Sequence, residues 1–513
     1  MNSSPSLAGR ALLALGLMVG FYLLALAIAA GLFFLPYAEW AYGDRLHPKL
    51  ALACLVGGGL ILWSVFPRVD RFVAPGPRLK RAEQPRLFAE IEAIAASTSQ
   101  PMPSDVYLVG DVNAWVAQRG GLMGISSRRV MGVGLPLLRT LTCSQVRAVL
   151  AHEFGHFHGG DTRLGPLIYR TRAAIERTIV NLSKQGGSPL LQAPFRWYGL
   201  MFLRVTHSLS RRQELNADAL AARTVGARPL MEGLRSISGA GRAFEAYWQS
   251  ECGPVLGAGF LPPLADGFAD FLRTEGVAEA VKKLVAEDMQ GSKGSPYDTH
   301  PPLPERIAAL EALVPGRARP DGRGAQREDA ADPPAITLLE DVAALEAAWL
   351  GAVSSPGTAA KLKPIRWSDV GREVYAPYWR ELAGANAENL PGLRALDLPA
   401  LLVDSEALSK RLVGPKGEPP SGRDPRAFAL GVCTAAVGLA LLEGGAEIEA
   451  LPGMPVALRT QSGTVDPADL VRKLADGTLP AEEWRAFCTR HGIDELDLGA
   501  VARRAGASGS PAP

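Results

Sequence analysis

The 513-residue sequence predicts a mostly α-helical chain with a small β-sheet, set behind an N-terminal transmembrane helical hairpin and followed by a helical C-terminal domain. Three observations predict it. Two uncharged apolar runs fill the first 66 residues, and two short β-rich runs precede a His-x-x-x-His segment. A Pro- and Gly-rich stretch then separates that region from a second helical one. Length alone allows roughly two to four domains. A formal net charge of +2 gives no electrostatic case for nucleic acid as a partner. Cys54, Cys143, Cys252, Cys433 and Cys488 are scattered, with no Cys-x-x-Cys, which argues against a disulfide framework and fits a reducing compartment.

Residues 1–78 form the hairpin. Ala11 to Leu35 is a run of 25 uncharged residues, long enough to cross a hydrocarbon core of about 30 Å. Leu50 to Phe66 is a second run, of 17 residues, near the lower limit for a span. The connection between them is short and balanced, with Glu39 and Asp44 against Arg45 and Lys49. After the second run come Arg68, Arg71, Arg78, Lys80 and Arg81, opposed only by Asp70. The positive-inside rule places that side in the cytoplasm. A cleaved signal peptide ending near Ala27-Ile28-Ala29 is the competing reading, but its apolar stretch is too long and its basic region is Arg10 alone. Either way the remainder of the chain lies on the basic side.

Residues 79–314 read as a mixed domain. Residues 84–97 look helical, and Val106–Val109 and Arg129–Val133 look like strands, with Gly120-Gly121 in the turn between them. The next helix opens on a capping box, Thr142 with Gln145. Val146, Val149 and Leu150 give it an apolar face, and Gly159-Gly160 ends it. It carries His152-Glu153-Phe154-Gly155-His156. Helical spacing projects both imidazoles from one face, where they can grip one zinc ion, and sets Glu153 where it can deprotonate a zinc-bound water. The bland alternative is an ordinary amphipathic helix with two partnered histidines. His158 falls off the metal face and is assigned a packing or surface role.

Two further helical stretches follow, Pro166 to Leu182 and Phe195 to Leu209. The second mixes apolar, aromatic and basic residues. That composition suits an element at the bilayer surface or packed on the hairpin, with a buried amphipathic helix as the alternative. Catalytic zinc takes three protein ligands plus water, so a third ligand is needed. Ser210 to Asp218 offers one, because Glu214 and Asp218 share a helical face and Ala217, Ala219, Ala221 and Ala222 allow close helix approach. Glu214 would complete the ligand set, and Asp218 would accept a hydrogen bond from the outer nitrogen of a ligating histidine. A solvated Glu-x-x-x-Asp helix is the alternative.

Residues 315–334 read as a linker, and 335–503 as a mostly helical accessory domain whose role the sequence does not reveal. Ala427 to Leu442 is apolar for sixteen residues but bounded by Arg426 and Glu443, which fits a buried core helix better than a span. Pro415 to Pro425 reads as an exposed loop, and residues 504–513 as a disordered tail.

Taken together, these segments resemble the HtpX-like membrane zinc metalloproteases, relatives of the CAAX prenyl endopeptidases. The matching stretches are Asn113-Ala114, Ala151 to His156, Gly160-Asp161, Ser210 to Glu214 with Ala217-Asp218, and Thr299-His300-Pro301-Pro302 with Arg306. They occur in the family's order and cover roughly residues 1 to 313. The resemblance implies an α+β, zincin-like protease domain with one zinc ion on His152, His156 and Glu214, and Glu153 as general base. It implies that His300 helps stabilise the oxyanion, and that an extended substrate adds as a strand at Asn113-Ala114. Arg211 and Arg212 are candidate partners of Asp161 or Asp218.

The implied protein is an endopeptidase of the bacterial inner membrane with its catalytic domain on the cytoplasmic side. Its partners would be polypeptide substrates and the lipid bilayer, and its task quality control or precursor processing. The chain departs from the family in two places: the family carries two further spans between the metal helix and the glutamate helix, whereas here Arg170, Arg172, Glu176 and Arg177 interrupt the first, and the region after the linker matches nothing in the family core. A catalytically silent scaffold or sensor, recruiting partners through its C-terminal region, is the rival reading. The intact His152, Glu153, His156 and Glu214 argue against it.

Overall fold

The computed structural model describes residues 7–43, 47–66, 72–121, 127–157, 165–184, 189–291, 301–314, 332–354, 357, 359–390, 392–403, 408, 412 and 424–508. Contacts divide the chain into two compact units: Met1–Arg242 with Val281–Val353, and Ala243–Ala280 with Ser354–Pro513.

In the first unit the two apolar runs become helices α1 (Leu7–Tyr42) and α2 (Pro48–Val65), packed on each other. Both are long and apolar enough to cross a membrane. Their outer faces expose Leu12, Leu23, Leu26, Leu52, Leu55 and Trp63, side chains that water opposes and hydrocarbon accepts. This is a membrane protein.

The small sheet follows. Strand β1 (Arg78–Leu79) precedes helix α3 (Pro85–Ser97), and β2 (Asp105–Val109), β3 (Ala114–Arg119) and β4 (Arg128–Gly134) complete it in the order β1-β2-β4-β3. The β2–β4 pair is parallel and the other two pairs are antiparallel. One expectation needs correction: Gly120 and Gly121 do not join β2 to β4. They follow an extra strand, β3, with φ of 83° and 72°, values that favour glycine. β3 escaped the periodicity argument because Ala-Trp-Val-Ala-Gln-Arg lacks clean alternation, and it pairs through backbone register rather than a buried face. β4 leads through α4 (Leu135–Thr140) into α5 (Cys143–Gly155), where Thr142 and Gln145 form the expected capping box.

Helices α6 (Gly165–Lys184) and α7 (Pro189–Thr224) then pack against α1 and α2 to make a four-helix bundle. Its core includes Phe21, Ile61, Ile175, Phe195 and Phe202. Phe195 meets Phe21 edge-on at 6.4 Å, and the Tyr198 hydroxyl donates to the Leu17 carbonyl at 2.7 Å. Phe195 to Arg204 therefore packs on the hairpin. Arg177, one of the charges that interrupt the apolar pattern, donates to the Ser64 carbonyl at the end of α2, and Asn181 donates to the Ser64 hydroxyl at 2.8 Å. Such pairing lets polar groups sit in the bundle without an unpaired burial cost. α7 is one helix of 36 residues, so the segment packed on α1 and the segment carrying Glu214 belong to the same element.

The second unit is mostly helical, with an antiparallel three-stranded sheet of Glu447–Glu449, Ala457–Thr460 and Gly463–Val465. Helix Pro425–Glu443 is long and apolar enough to span a membrane. Instead it forms the core, with Val432, Ala436, Val437 and Leu441 buried among residues that include Leu458, Trp484 and Val501. Ion pairs Arg426–Asp476 and Arg504–Glu443 tie down its two ends. Residues 504–508, expected in a disordered tail, continue the helix Leu498–Ser508.

Candidate metal centre

The centre is built where α5 and α7 touch. Val146, Val149 and Leu150 bury the apolar face of α5, as expected. The regular helix stops at Gly155, earlier than Gly159-Gly160. His156 is its C-cap with helical torsions (φ −59°, ψ −20°), so the four-residue spacing of the imidazoles survives. Gly155 decides how close the helices come: a Cβ there would stand 2.9 Å from the Ala217 Cα. A glycine facing an alanine sets His152 and His156 directly against Glu214.

The geometry is compact. One ligand atom each from His152, His156 and Glu214 lies within 4.8 Å of the others, a set that could hold a metal ion. The Glu214 carboxylate reaches both imidazoles, with Oε2 3.5 Å from His152 Nε2 and Oε1 3.5 Å from His156 Nε2. On the far side of the ring, His152 Nδ1 meets Asp218 Oδ1 at 2.8 Å. His152, Glu214 and Asp218 are buried and His156 is half-buried.

Arg306, on the helix Leu303–Glu311, closes the arrangement from behind. Its guanidinium forks onto Asp218, Nε donating to Oδ2 at 2.8 Å and Nη2 to Oδ1 at 2.6 Å. Burial alone would push the Asp218 carboxyl up, but Arg306 and His152 hold it below the usual carboxylate range. Burial would likewise push His152 down. Its hydrogen bonds to Asp218 and Glu214 win, and the metal-free imidazole is raised to about 9.

Comparison with known families decides the class. Residues 81–314 match the model of peptidase family M48. Residues 81–314 are an M48 peptidase domain. The chain is 26% identical over 319 residues to the protein named "Protease HtpX homolog" of Chlorobium phaeobacteroides (strain BS1), covering 55% of this chain and 89% of that one. It is 26% identical over 240 residues to "Protease HtpX" of Idiomarina loihiensis, 44% of this chain and 71% of the relative. With "Protease HtpX" of Hahella chejuensis it shares 25% identity over 300 residues, 54% and 90% of the two chains. No solved structure matches significantly. Residues 81–314 thus place an HtpX-like domain of a metallopeptidase family behind apolar helices long enough to span a membrane.

Within the M48 domain, Glu153 is half-buried on α5 beside His152, and its charge favours the protonated forms of His152 and Arg306. Asn113 is exposed and its carbonyl accepts the Gly134 amide at 2.9 Å, just before Ala114 opens β3. β3 is an edge of the sheet and contacts α5. His300, His158 and Asp161 lie outside the described residues. Arg211 pairs with Glu305 rather than with Asp218, whose cation is Arg306. The role of Arg306 was missed by spacing arguments, because 88 residues separate it from Asp218. Its signal was its place in the matching Pro-Pro segment.

Proposed function

We propose that the chain is a membrane-anchored zinc endopeptidase that hydrolyses peptide bonds in membrane or membrane-associated proteins, in quality control or precursor processing. The observation that carries this reading is the Glu214 carboxylate, set 3.5 Å from each of two imidazoles that share one helical turn. Zinc bonds of about 2.0–2.1 Å in tetrahedral geometry separate neighbouring donor atoms by about 3.3 Å. The donor set, two neutral nitrogens and one carboxylate, suits that ion and leaves a position open for chemistry.

Zinc, when bound, supplies the Lewis acidity that polarises a carbonyl and makes water nucleophilic near neutral pH. The remaining work belongs to the chain's own side chains. Asp218 accepts the His152 Nδ1–H and so points Nε2 toward Glu214, while Arg306 holds Asp218 in place. Glu153 takes a proton from the attacking water and delivers it to the leaving amine. Asn113 and Ala114, at the start of the edge strand β3, are where an extended substrate adds its backbone. His300, from its place before Pro301-Pro302, is assigned to the developing oxyanion. The basic flank after α2 puts the domain on the cytoplasmic face of a bacterial inner membrane.

The test is Glu153→Gln in the purified full chain. Zinc content should stay at one ion per chain, while chelator-sensitive cleavage of casein falls about 10²–10⁴-fold. Wild-type turnover by that variant would refute the assignment of the base. The same variant, expressed in native membranes, should trap uncleaved substrates for identification.

A further inference from the structure

Beyond the M48 match, which ends at residue 314, Asp332 to Val353 belong to the same compact unit as the candidate metal centre. Its first contact is the N-terminus of α5. Cys143 N donates to the Pro333 carbonyl at 2.9 Å, and Ala335 N donates back to the Leu141 carbonyl at 2.8 Å. Ser144 gives both its backbone N–H, at 3.2 Å, and its hydroxyl, at 2.5 Å, to the Asp332 carboxylate. A helix leaves its first N–H groups without intrahelical partners. Here Thr142 takes the Gln145 N–H, and Asp332 and Pro333 take those of Ser144 and Cys143.

The same segment reaches α3, which packs on α5, and the end of β2. Gln84, the N-cap residue of α3, exchanges hydrogen bonds with the Glu340 backbone, Nε2 to O at 3.1 Å and N to Oε1 at 2.7 Å. Arg86 pairs with the Glu340 carboxylate. Trp349, on the helix Val342–Val353, lies against the end of β2, where a Cβ on Gly110 would stand 2.0 Å from its ring. Ala335, Leu339 and Trp349 are all buried.

We infer that Asp332–Val353 is a positioning strap, which fixes the metal-binding helix against α3 and the sheet and makes Asp332 a positioning residue for His152 and His156. The strap sits on the end of α5 opposite the imidazoles. It therefore touches no reacting group, and its effect must travel along the helix as a shift or tilt. Small displacements matter because misplacing a reacting group by about 1 Å can cost on the order of 100-fold in rate. The strap lies beyond the family match, which ends at residue 314.

The inference rests on the metalloprotease reading, and the experiment separates the two. Cobalt(II) replaces zinc in the full-length wild type, Asp332→Ala and Asp332→Asn. The readouts are cobalt affinity by chelator competition, the visible ligand-field spectrum, and kcat and KM of the zinc forms. Asp332→Ala should bind cobalt about ten-fold more weakly with an altered band shape, and lose kcat by about ten-fold at unchanged KM. Asp332→Asn, whose amide oxygen can still accept from Ser144, should recover most of each. A Tm loss in Asp332→Ala with unchanged cobalt affinity and spectrum would overturn the strap's positioning role, leaving it a structural tether. If Asp332→Ala fails to fold, Ser144→Ala, which removes the hydroxyl bonded to Asp332, takes its place: an altered band shape supports the inference and an unshifted band overturns it. Failure of the wild type to bind cobalt would overturn the metalloprotease reading itself.

Discussion

The two compact units bury their interiors in different ways. The M48 unit hides His152, Glu214, Asp218 and Arg306 together, beside polar groups elsewhere such as Asp105 and Gln84. In the second unit, Asn386 is the buried polar side chain among the described residues, and it bonds locally to the Leu382 carbonyl at 2.8 Å. The rest of that core is apolar side chains, the fully buried Trp484 and the two thiols Cys433 and Cys488. Burying charge is costly unless it is paired or neutralised, so a fold collects buried ions where chemistry needs them. A core built from apolar packing records only volume and shape. The contrast explains why one unit reads as an active centre and the other as a scaffold.

Removing a ligand should break the contrast most sharply. His152→Ala and Glu214→Ala are expected to lose bound metal by elemental analysis, and proteolysis with it, because two remaining protein donors no longer make a catalytic site. Undiminished metal in either variant would remove that residue from the centre. Trp484→Ala probes the opposite kind of interior. Its fully buried indole also donates to the Ala395 carbonyl at 2.8 Å, so truncation should cost about 3–5 kcal/mol in chemical denaturation while metal content stays unchanged. Loss of metal in that variant would show that the two interiors are not independent.

Asp218→Asn should be milder than losing a ligand. It leaves the three donors but weakens the support of His152, and metal affinity is expected to fall about 10–100-fold in chelator competition. The smallest effect concerns protons. His152 is raised from 6.5 to about 9 in the metal-free protein, first against the opposing pull of burial, through its bonds to Asp218 and Glu214. Below 6.5 those bonds stabilise the metal-free fold in full, and the stabilisation is lost as pH rises through about 9. A metal ion takes the neutral ring, so uptake at pH 7 should release about one proton from His152. Calorimetry in buffers of different ionisation enthalpy counts it, and an uptake that releases none would contradict the arrangement.

Much of the centre was legible because its chemistry dictates residue types at fixed spacing. His152 and His156 stand one helical turn apart, as do Glu214 and Asp218, so each pair shares a helical face that the spacing alone reveals. The capping box at Thr142, the hairpin of α1 and α2, and the core role of Ala427 to Leu442 were equally readable, since each rests on local pattern. β3 and the partner of Arg211 were not. β3 lacks a clean period and is held by β4, and the Arg211–Glu305 pair joins residues 94 positions apart. The partner of Arg177 was hidden for the same reason, because it is Ser64 on another helix.

By itself the sequence determined the local terms: which segments are apolar enough for a bilayer, which turn carries two imidazoles, which helix offers a carboxylate. Tertiary structure alone decided which of them meet. Gly155 against Ala217 brings the carboxylate to the imidazoles, Arg306 arrives behind Asp218, and the segment from Asp332 closes on the start of α5. Such meetings depend on long-range packing, where the free energy comes from area and shape summed over many residues and no short stretch of sequence records the sum.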